Sequence, residues 1–229
     1  MQLFYQEEVL KNGFLSEEDS KHCLKVLRKK KGDIIQIVDG KGGLFEAKIV
    51  DDNLKKCQFL VLNHTSDFGK LNKSLNLYVA PTKSIDRIEW MLEKVVEIGI
   101  SSITFLETEH TINRNVKIPR LEKIAISAMK QSLTAFLPKI NSQVKFNAQL
   151  IHSLSGQNLI CHLSDNSKPV QLIKLIDKIN VFIGPEGDFS EKEIDLSNHF
   201  GFSQVSIGSS RLRTETAGLV AITALNLLQ

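Results

Sequence analysis

Ile183-Gly184-Pro185-Glu186-Gly187-Asp188-Phe189-Ser190 and Ile207-Gly208-Ser209-Ser210-Arg211-Leu212-Arg213-Thr214-Glu215-Thr216-Ala217 are the two stretches whose reading decides the fold. Each leaves a short apolar run, passes through a loop containing glycine and enters a segment with helical signals. Glycine lets a backbone approach a flat ligand closely because no Cβ stands in the way, and Pro185 stiffens the first turn. Ser190 with Glu193 three residues on reads as a capping box, which fixes where the next helix begins. A lone Gly-Pro-x-Gly is commonly a plain strand-to-helix turn. Two such loops on successive strands, the second carrying arginines and threonines, point instead to a ligand site.

The same strand, loop and helix rhythm runs back to Leu75. Leu75, Leu77 and Val79 alternate as a strand does; Ser84 then opens a helix whose Ile85, Ile88, Leu92 and Val95 form one apolar stripe, closed at Gly99. Further strands are predicted at residues 103–106, 159–162, 181–184 and 205–208, with helices near 121–133, 170–176, 190–200 and 214–228. Five strands, each followed by a helix, imply an α/β domain with a parallel sheet covered on both faces. Ligands of such sheets gather at the carboxyl ends of the strands.

The first ~70 residues read differently, as short strands with one helix. Ser16 and Asp19 cap a helix that carries Cys23, Leu24 and Leu27 and is expected to end near Lys30. Residues 34–38 and 44–50 flank an Asp39-Gly40-Lys41-Gly42-Gly43 turn as a hairpin, residues 59–62 add a strand, and the polar stretch 63–74 is the expected linker. A small β-rich domain over residues 1–72 followed by an α/β domain over 73–229 is the resulting division of the chain.

Composition agrees with packed domains: of 229 residues, 42% are hydrophobic and 24% charged. MQLFYQEEVL has no basic segment followed by an apolar run, and no stretch approaches ~18 uninterrupted apolar residues, so no membrane partner and a cytoplasmic location are expected. Cys23, Cys57 and Cys161 are odd in number and far apart, which predicts reduced thiols and no metal site. A net charge of +3 says little about nucleic acid, but Lys25, Arg28, Lys29, Lys30 and Lys31 form a local cluster, either a phosphate-binding patch or cations at a helix end. Gly-x-Gly-x-x-Gly, the P-loop pattern and Gly-x-Ser-x-Gly are all missing, which removes the usual support for dinucleotide, P-loop and serine-hydrolase chemistry. Six scattered histidines read as surface or packed residues.

The paired loops resemble the late segments of the SPOUT methyltransferase superfamily, and their wording is close to the bacterial 16S ribosomal RNA (uracil-N3)-methyltransferase branch. Lys83, Glu93-Lys94-Val95-Val96-Glu97-Ile98-Gly99, Thr108-Glu109-His110 and Ala128-x-x-Gln131-Ser132 through Pro138 are similar too, as are His22-x-x-x-Val26-Leu27-Arg28, Lys31-Gly32-Asp33 and Asp39-Gly40. The likeness spans nearly the whole chain in order and spacing. It implies a PUA-like RNA-binding domain before a knotted parallel-sheet SPOUT domain, a homodimer, and 16S ribosomal RNA of the small subunit as partner. S-adenosyl-L-methionine is the implied cofactor, held by Leu163, Gly184, Pro185, Glu186, Gly187, Ile207, Gly208, Leu212 and Thr216. Members of the family often carry glycine where Asp188 stands and arginine where Thr134 stands. The first difference leaves the geometry of the loop open, and no role passes to Thr134.

Methylation of uracil N3 requires loss of a proton, which leaves charge on O2 and O4 that a fixed guanidinium favours. Arg213 is the candidate for that role, Glu215 for orienting Arg213 or taking the proton, and Lys83 for contacting phosphate or base. Lys25, Arg28 and Lys30 are the candidate phosphate contacts. Each of these charges also has a plain reading as an ion pair or a helix-terminal charge. The alternatives are a SPOUT enzyme acting on a ribose 2′-hydroxyl or on transfer RNA, a non-catalytic RNA-binding assembly factor, and an unrelated α/β nucleotide-binding enzyme.

Overall fold

The computed structural model describes residues 2–112, 115–164 and 166–228, which form two compact units. One comprises residues 1–70 and 126–137, and the other residues 71–125 and 138–229.

The first unit holds a four-stranded sheet, β1 (Leu3–Tyr5), β2 (Ile34–Val38), β3 (Leu44–Asp51) and β4 (Gln58–Thr65), in that order. β1 runs parallel to β2, while β2 with β3 and β3 with β4 are antiparallel. Phe4, Ile35, Ile37, Phe45, Ala47, Ile49 and Phe59 alternate inward and close a core with Cys23 and Cys57. The expected linker starts later than its polarity suggests, because Asn63, His64 and Thr65 continue β4, paired to β3.

The helix opened by Ser16 is α1 (Glu17–Lys21), whose start is capped by Asp19 N–H donating to Ser16 Oγ at 3.1 Å. It does not reach Lys30. A π-helical turn covers His22–Val26, Arg28 adopts a left-handed φ of 56°, and Lys29 N–H returns to the Cys23 carbonyl at 3.1 Å. That bond pattern closes a helix end, and the lysines beyond it lie on a turn tied by Lys30 N–H to Asp33 Oδ2.

The second unit contains β5 (Ser74–Val79), α2 (Ile85–Ile98), β6 (Ser102–Glu107), α3 (Ile118–Gln131, whose last turns fall in the first unit), β7 (Lys139–Lys145), α4 (Ala148–His152), β8 (Gln157–Cys161), β9 (Lys168–Pro169), β10 (Lys178–Ile183), α5 (Glu191–His199), β11 (Ser203–Ser206) and α6 (Thr214–Leu227). Its sheet has seven strands in the order β7-β6-β5-β10-β8-β11-β9, every neighbouring pair parallel. β10 is buried on both faces from Ile179 to Ile183, as a parallel strand between helical layers must be.

Two of the seven strands escape a search for apolar runs. β7 is an edge strand with only part-buried or exposed residues, and β9 has two residues, one of them Pro169, which an edge tolerates because the missing N–H is not needed there. The helix expected over 170–176 is reduced to a single 3-10 turn, Val170–Leu172. Beyond it the backbone bonds to a side chain instead: Gln157 Nε2 donates to the Lys174 carbonyl at 3.1 Å, and Ile176 N–H donates to Gln157 Oε1 at 3.3 Å.

Strand order places the decisive loops side by side. From β5 the chain builds outward through β6 to β7, and then continues on the other side, where β10 separates β5 from β8 and β11 lies beyond β8. All these strands point the same way, so the segments after β8, β10 and β11 leave one edge of the sheet together.

Candidate functional site

A cavity of about 390 Å³ opens at that edge, within the second unit. Its wall comes from the end of β8 (Cys161, His162, Leu163), the loop after β10 (Gly184, Pro185, Glu186, Asp188), and the segment from β11 into α6, including Ile207, Gly208, Arg211, Leu212 and Thr214. The volume falls in the ~300–1,000 Å³ range of small-molecule sites, and apolar walls with a few placed polar groups are their usual chemistry.

Each loop is fixed by identifiable interactions. Phe189 is 5% exposed and packs its ring 5.5 Å from Phe146 in a cluster with Phe182 and Phe202, which anchors the far end of the loop after β10. Ser190 N–H donates to Glu193 Oε2 at 2.9 Å, so the capping box read from sequence sets the start of α5. Glu193 Oε1 also accepts Glu109 N–H at 2.9 Å, tying the segment after β6 to this turn. Across the cavity, Thr214 Oγ1 donates to the Gly184 carbonyl at 3.0 Å, and Arg211 Nη2 donates to the Glu186 carbonyl at 3.1 Å. The loops after β10 and β11 are therefore directly hydrogen-bonded to each other.

Asp188 shows why glycine suits its position: its φ is 62°, a left-handed conformation that costs most L-residues ~1–2 kcal/mol and that aspartate tolerates better than most. Its N–H donates to the Pro185 carbonyl at 2.9 Å and its Oδ1 accepts Phe189 N–H at 2.8 Å. Its Oδ2 lies 2.8 Å from Nδ1 of His162, a second residue of the cavity wall. His110 Nδ1 sits 3.0 Å from the Asp188 carbonyl and 3.1 Å from that of Gly187. Those carbonyls, Asp188's first, favour the protonated ring and raise the pKa of this exposed histidine above its ordinary value.

Of the residues predicted to hold a cofactor, Leu163, Gly184, Pro185, Glu186, Ile207, Gly208 and Leu212 line this cavity together. Gly187 and Thr216 stand outside the lining. A Cβ on Gly187 would come 3.1 Å from Cβ of His110, so this glycine serves loop packing. Lys83 follows β5 and is exposed; its N–H donates to Glu186 Oε1 at 3.1 Å. Arg213 occupies the N-cap position of α6 without a side-chain capping bond, and its side chain is exposed. Glu215 is 7% exposed and turns to Arg87 on α2 at 3.8 Å, not to Arg213, and its Oε2 is buried without a hydrogen-bond partner. Lys25, Arg28 and Lys30 all lie in the first unit, on the turn that ends its helix and just beyond. Sequence reasoning missed His162, Arg211 and Thr214. The arginines and threonines of the second loop marked a ligand site without singling out Arg211 or Thr214, and Asp188, standing where the resembling family often carries glycine, left the geometry of its loop open.

No described helix is long and apolar enough to cross a membrane. Among the described residues no group of three or more His, Cys, Asp or Glu side chains is placed to hold a metal.

A parallel α/β unit with a cavity built by its last loops, preceded by a small β-rich unit, defines the class: residues 70–226 match the model of an RNA methyltransferase domain and residues 15–62 that of an RNA methyltransferase PUA domain. The chain is 33% identical to the ribosomal RNA small subunit methyltransferase E of Buchnera aphidicola, over 93% of this chain and 86% of the relative. Its fold superposes with a TM-score of 0.94 on a probable rRNA-methyltransferase from Porphyromonas gingivalis, at 38% identity over 100% of this chain and 98% of the other. It superposes at 0.88 on a ribosomal RNA small subunit methyltransferase E from Neisseria gonorrhoeae bound to S-adenosyl methionine, at 28% identity over 100% and 98%. The chain belongs to the ribosomal RNA small subunit methyltransferase E family.

Proposed function

We propose that this enzyme transfers the methyl group of S-adenosyl-L-methionine to N3 of one uridine in 16S ribosomal RNA of the small subunit. The observation that carries the reading is the cavity at the carboxyl ends of β8, β10 and β11, in a fold that the Neisseria gonorrhoeae relative shares and in which that relative binds S-adenosyl methionine. The residues present suit such a ligand. Exposed Gly208 leaves one edge open to a flat base, Leu163, Ile207 and Leu212 supply apolar walls, and Asp188 and Arg211 supply separate polar groups.

The bound donor supplies an electrophilic methyl on a sulfonium. What remains for the protein is to order the target base, remove water and favour the deprotonated nitrogen. Arg213, exposed at the start of α6, stabilises the charge that spreads onto O2 and O4 when N3 loses its proton. Lys83, held beside the loop after β10 through its backbone bond to Glu186, contacts the base or a neighbouring phosphate. Glu215 acts from a buried position beside Arg87, holding the start of α6 on which Arg213 is carried. The first unit supplies affinity through Lys25, Arg28 and Lys30 on phosphates.

The proposal includes a homodimer in the cytoplasm and the knotted threading that the family resemblance implies. α6 is apolar nearly all round, with Leu227 81% exposed, and Trp90 on α2 is 45% exposed, which suits a face covered by a second copy. Sedimentation tests the dimer. Incubation with labelled donor and small subunits lacking the modification, followed by mapping of the label, tests the reaction.

A further inference from the structure

We propose that Asp188, held by His162, is a ligand-recognition residue of the cavity, accepting a hydrogen bond from the ribose hydroxyls or the ammonium group of an adenosine–amino acid ligand. This rests on the methyl-donor reading above and adds a residue to it. A carboxylate offers about four lone-pair sites. Two are used here, by Phe189 N–H at 2.8 Å and by His162 Nδ1 at 2.8 Å. Asp188 keeps acceptor capacity on a side chain that is 41% exposed and lines the cavity. Of the other charged groups of the wall, Arg211 can only donate. Glu186, which accepts Lys83 N–H through Oε1, keeps acceptor capacity but is exposed and is met there by a backbone group rather than oriented by a side chain as Asp188 is by His162. His162, with a side chain 22% exposed, fixes the direction of the carboxylate, so the acceptor is in place before a ligand enters.

Calorimetric titration of the full chain with three probes tests this: S-adenosylmethionine, S-adenosylhomocysteine and 5′-methylthioadenosine, the last keeping the ribose but not the ammonium. Asp188→Asn retains an oxygen for Phe189 N–H and tolerance of a positive φ, while losing the charge. Its affinity is expected to fall roughly tenfold or more, as for loss of a hydrogen bond to a charged group. A fall with all three probes assigns the ribose hydroxyls, and a fall with the first two alone assigns the ammonium. Asp188→Gly, which relieves the left-handed strain but gives up the bonds to Phe189 N–H and His162, is expected to lose the same affinity, its folding being checked by the thermal midpoint. His162→Asn puts an amide nitrogen near the place of Nδ1 and is expected to bind normally, whereas His162→Ala binds more weakly. Unchanged affinities in folded Asp188→Asn overturn the assignment, and wild-type affinity in His162→Ala overturns the role of the histidine. If the wild-type chain binds none of the probes, the methyl-donor reading falls and the Asp188 assignment falls with it.

Discussion

Replacing Thr214 by valine tests whether the two loops act as one wall. Thr214 is 4% exposed, and its hydroxyl donates to the Gly184 carbonyl at 3.0 Å, across 30 residues of sequence. Valine matches threonine in shape but has no donor, so the substitution deletes one hydrogen bond and leaves a buried carbonyl without it. Such a loss costs about 1–3 kcal/mol. For a protein of this length that corresponds to a fall in the thermal midpoint of roughly 2–12 °C. Gly184 and Thr214 both line the cavity, so loosening their bond also weakens binding of the methyl donor. Thr214→Ser keeps the hydroxyl and serves as the reference. Scanning calorimetry of both variants, with and without S-adenosylmethionine, gives the stability and the stabilisation by ligand. If valine and serine variants match in both, the bond does not join the loops and the account of the cavity wall is wrong.

Arg213→Ala is expected to lower the single-turnover rate at saturating RNA and donor by about 100- to 1000-fold with little change in donor affinity, the typical effect of removing one preorganised donor to developing charge. A near-normal rate in a mutant that sediments like the wild type would remove Arg213 from the chemistry. Changing Lys25, Arg28 and Lys30 together to alanine should lower the log–log salt slope of single-stranded RNA binding by about 0.7 for each phosphate that is no longer neutralised, with donor binding intact; an unaltered slope would make them solvated surface charges. His110 should titrate above an ordinary histidine in NMR spectra, because the carbonyls of Asp188 and Gly187 favour its protonated form. Its stabilisation of the loop is then complete below the ordinary histidine range and is lost as pH rises through the raised midpoint. A midpoint at or below the ordinary value contradicts that interaction.

The loops after β10 and β11 are legible in the sequence because glycines, a capping box and an apolar strand mark each boundary locally. That these loops form a ligand site can be read from those marks, whereas the family resemblance is what singles out Gly184, Ile207 and Leu212, which the structure brings to one cavity. The bonds that shape the wall are not legible. Asp188 meets His162 across 26 residues and Thr214 meets Gly184 across 30, pairings that depend on strand order rather than on any local pattern. β7 is hidden because an edge strand need not be apolar, and the basic cluster reads as part of a helix because nothing in its composition announces that Arg28 adopts a φ of 56°. Glu215 shows the same limit: its nearness to Arg213 in sequence suggests a pair, but the helix turns it toward Arg87.

The most direct test of the central claim is base-resolved mapping of the methyl group. The purified protein and labelled S-adenosylmethionine are incubated with small ribosomal subunits from a strain lacking the modification, and the 16S ribosomal RNA is digested and sequenced by mass. The account predicts one labelled uridine carrying the methyl on N3, produced by the wild-type chain and nearly absent with Arg213→Ala. A label on a ribose 2′-hydroxyl, on transfer RNA, or on no RNA despite binding of the donor would contradict it.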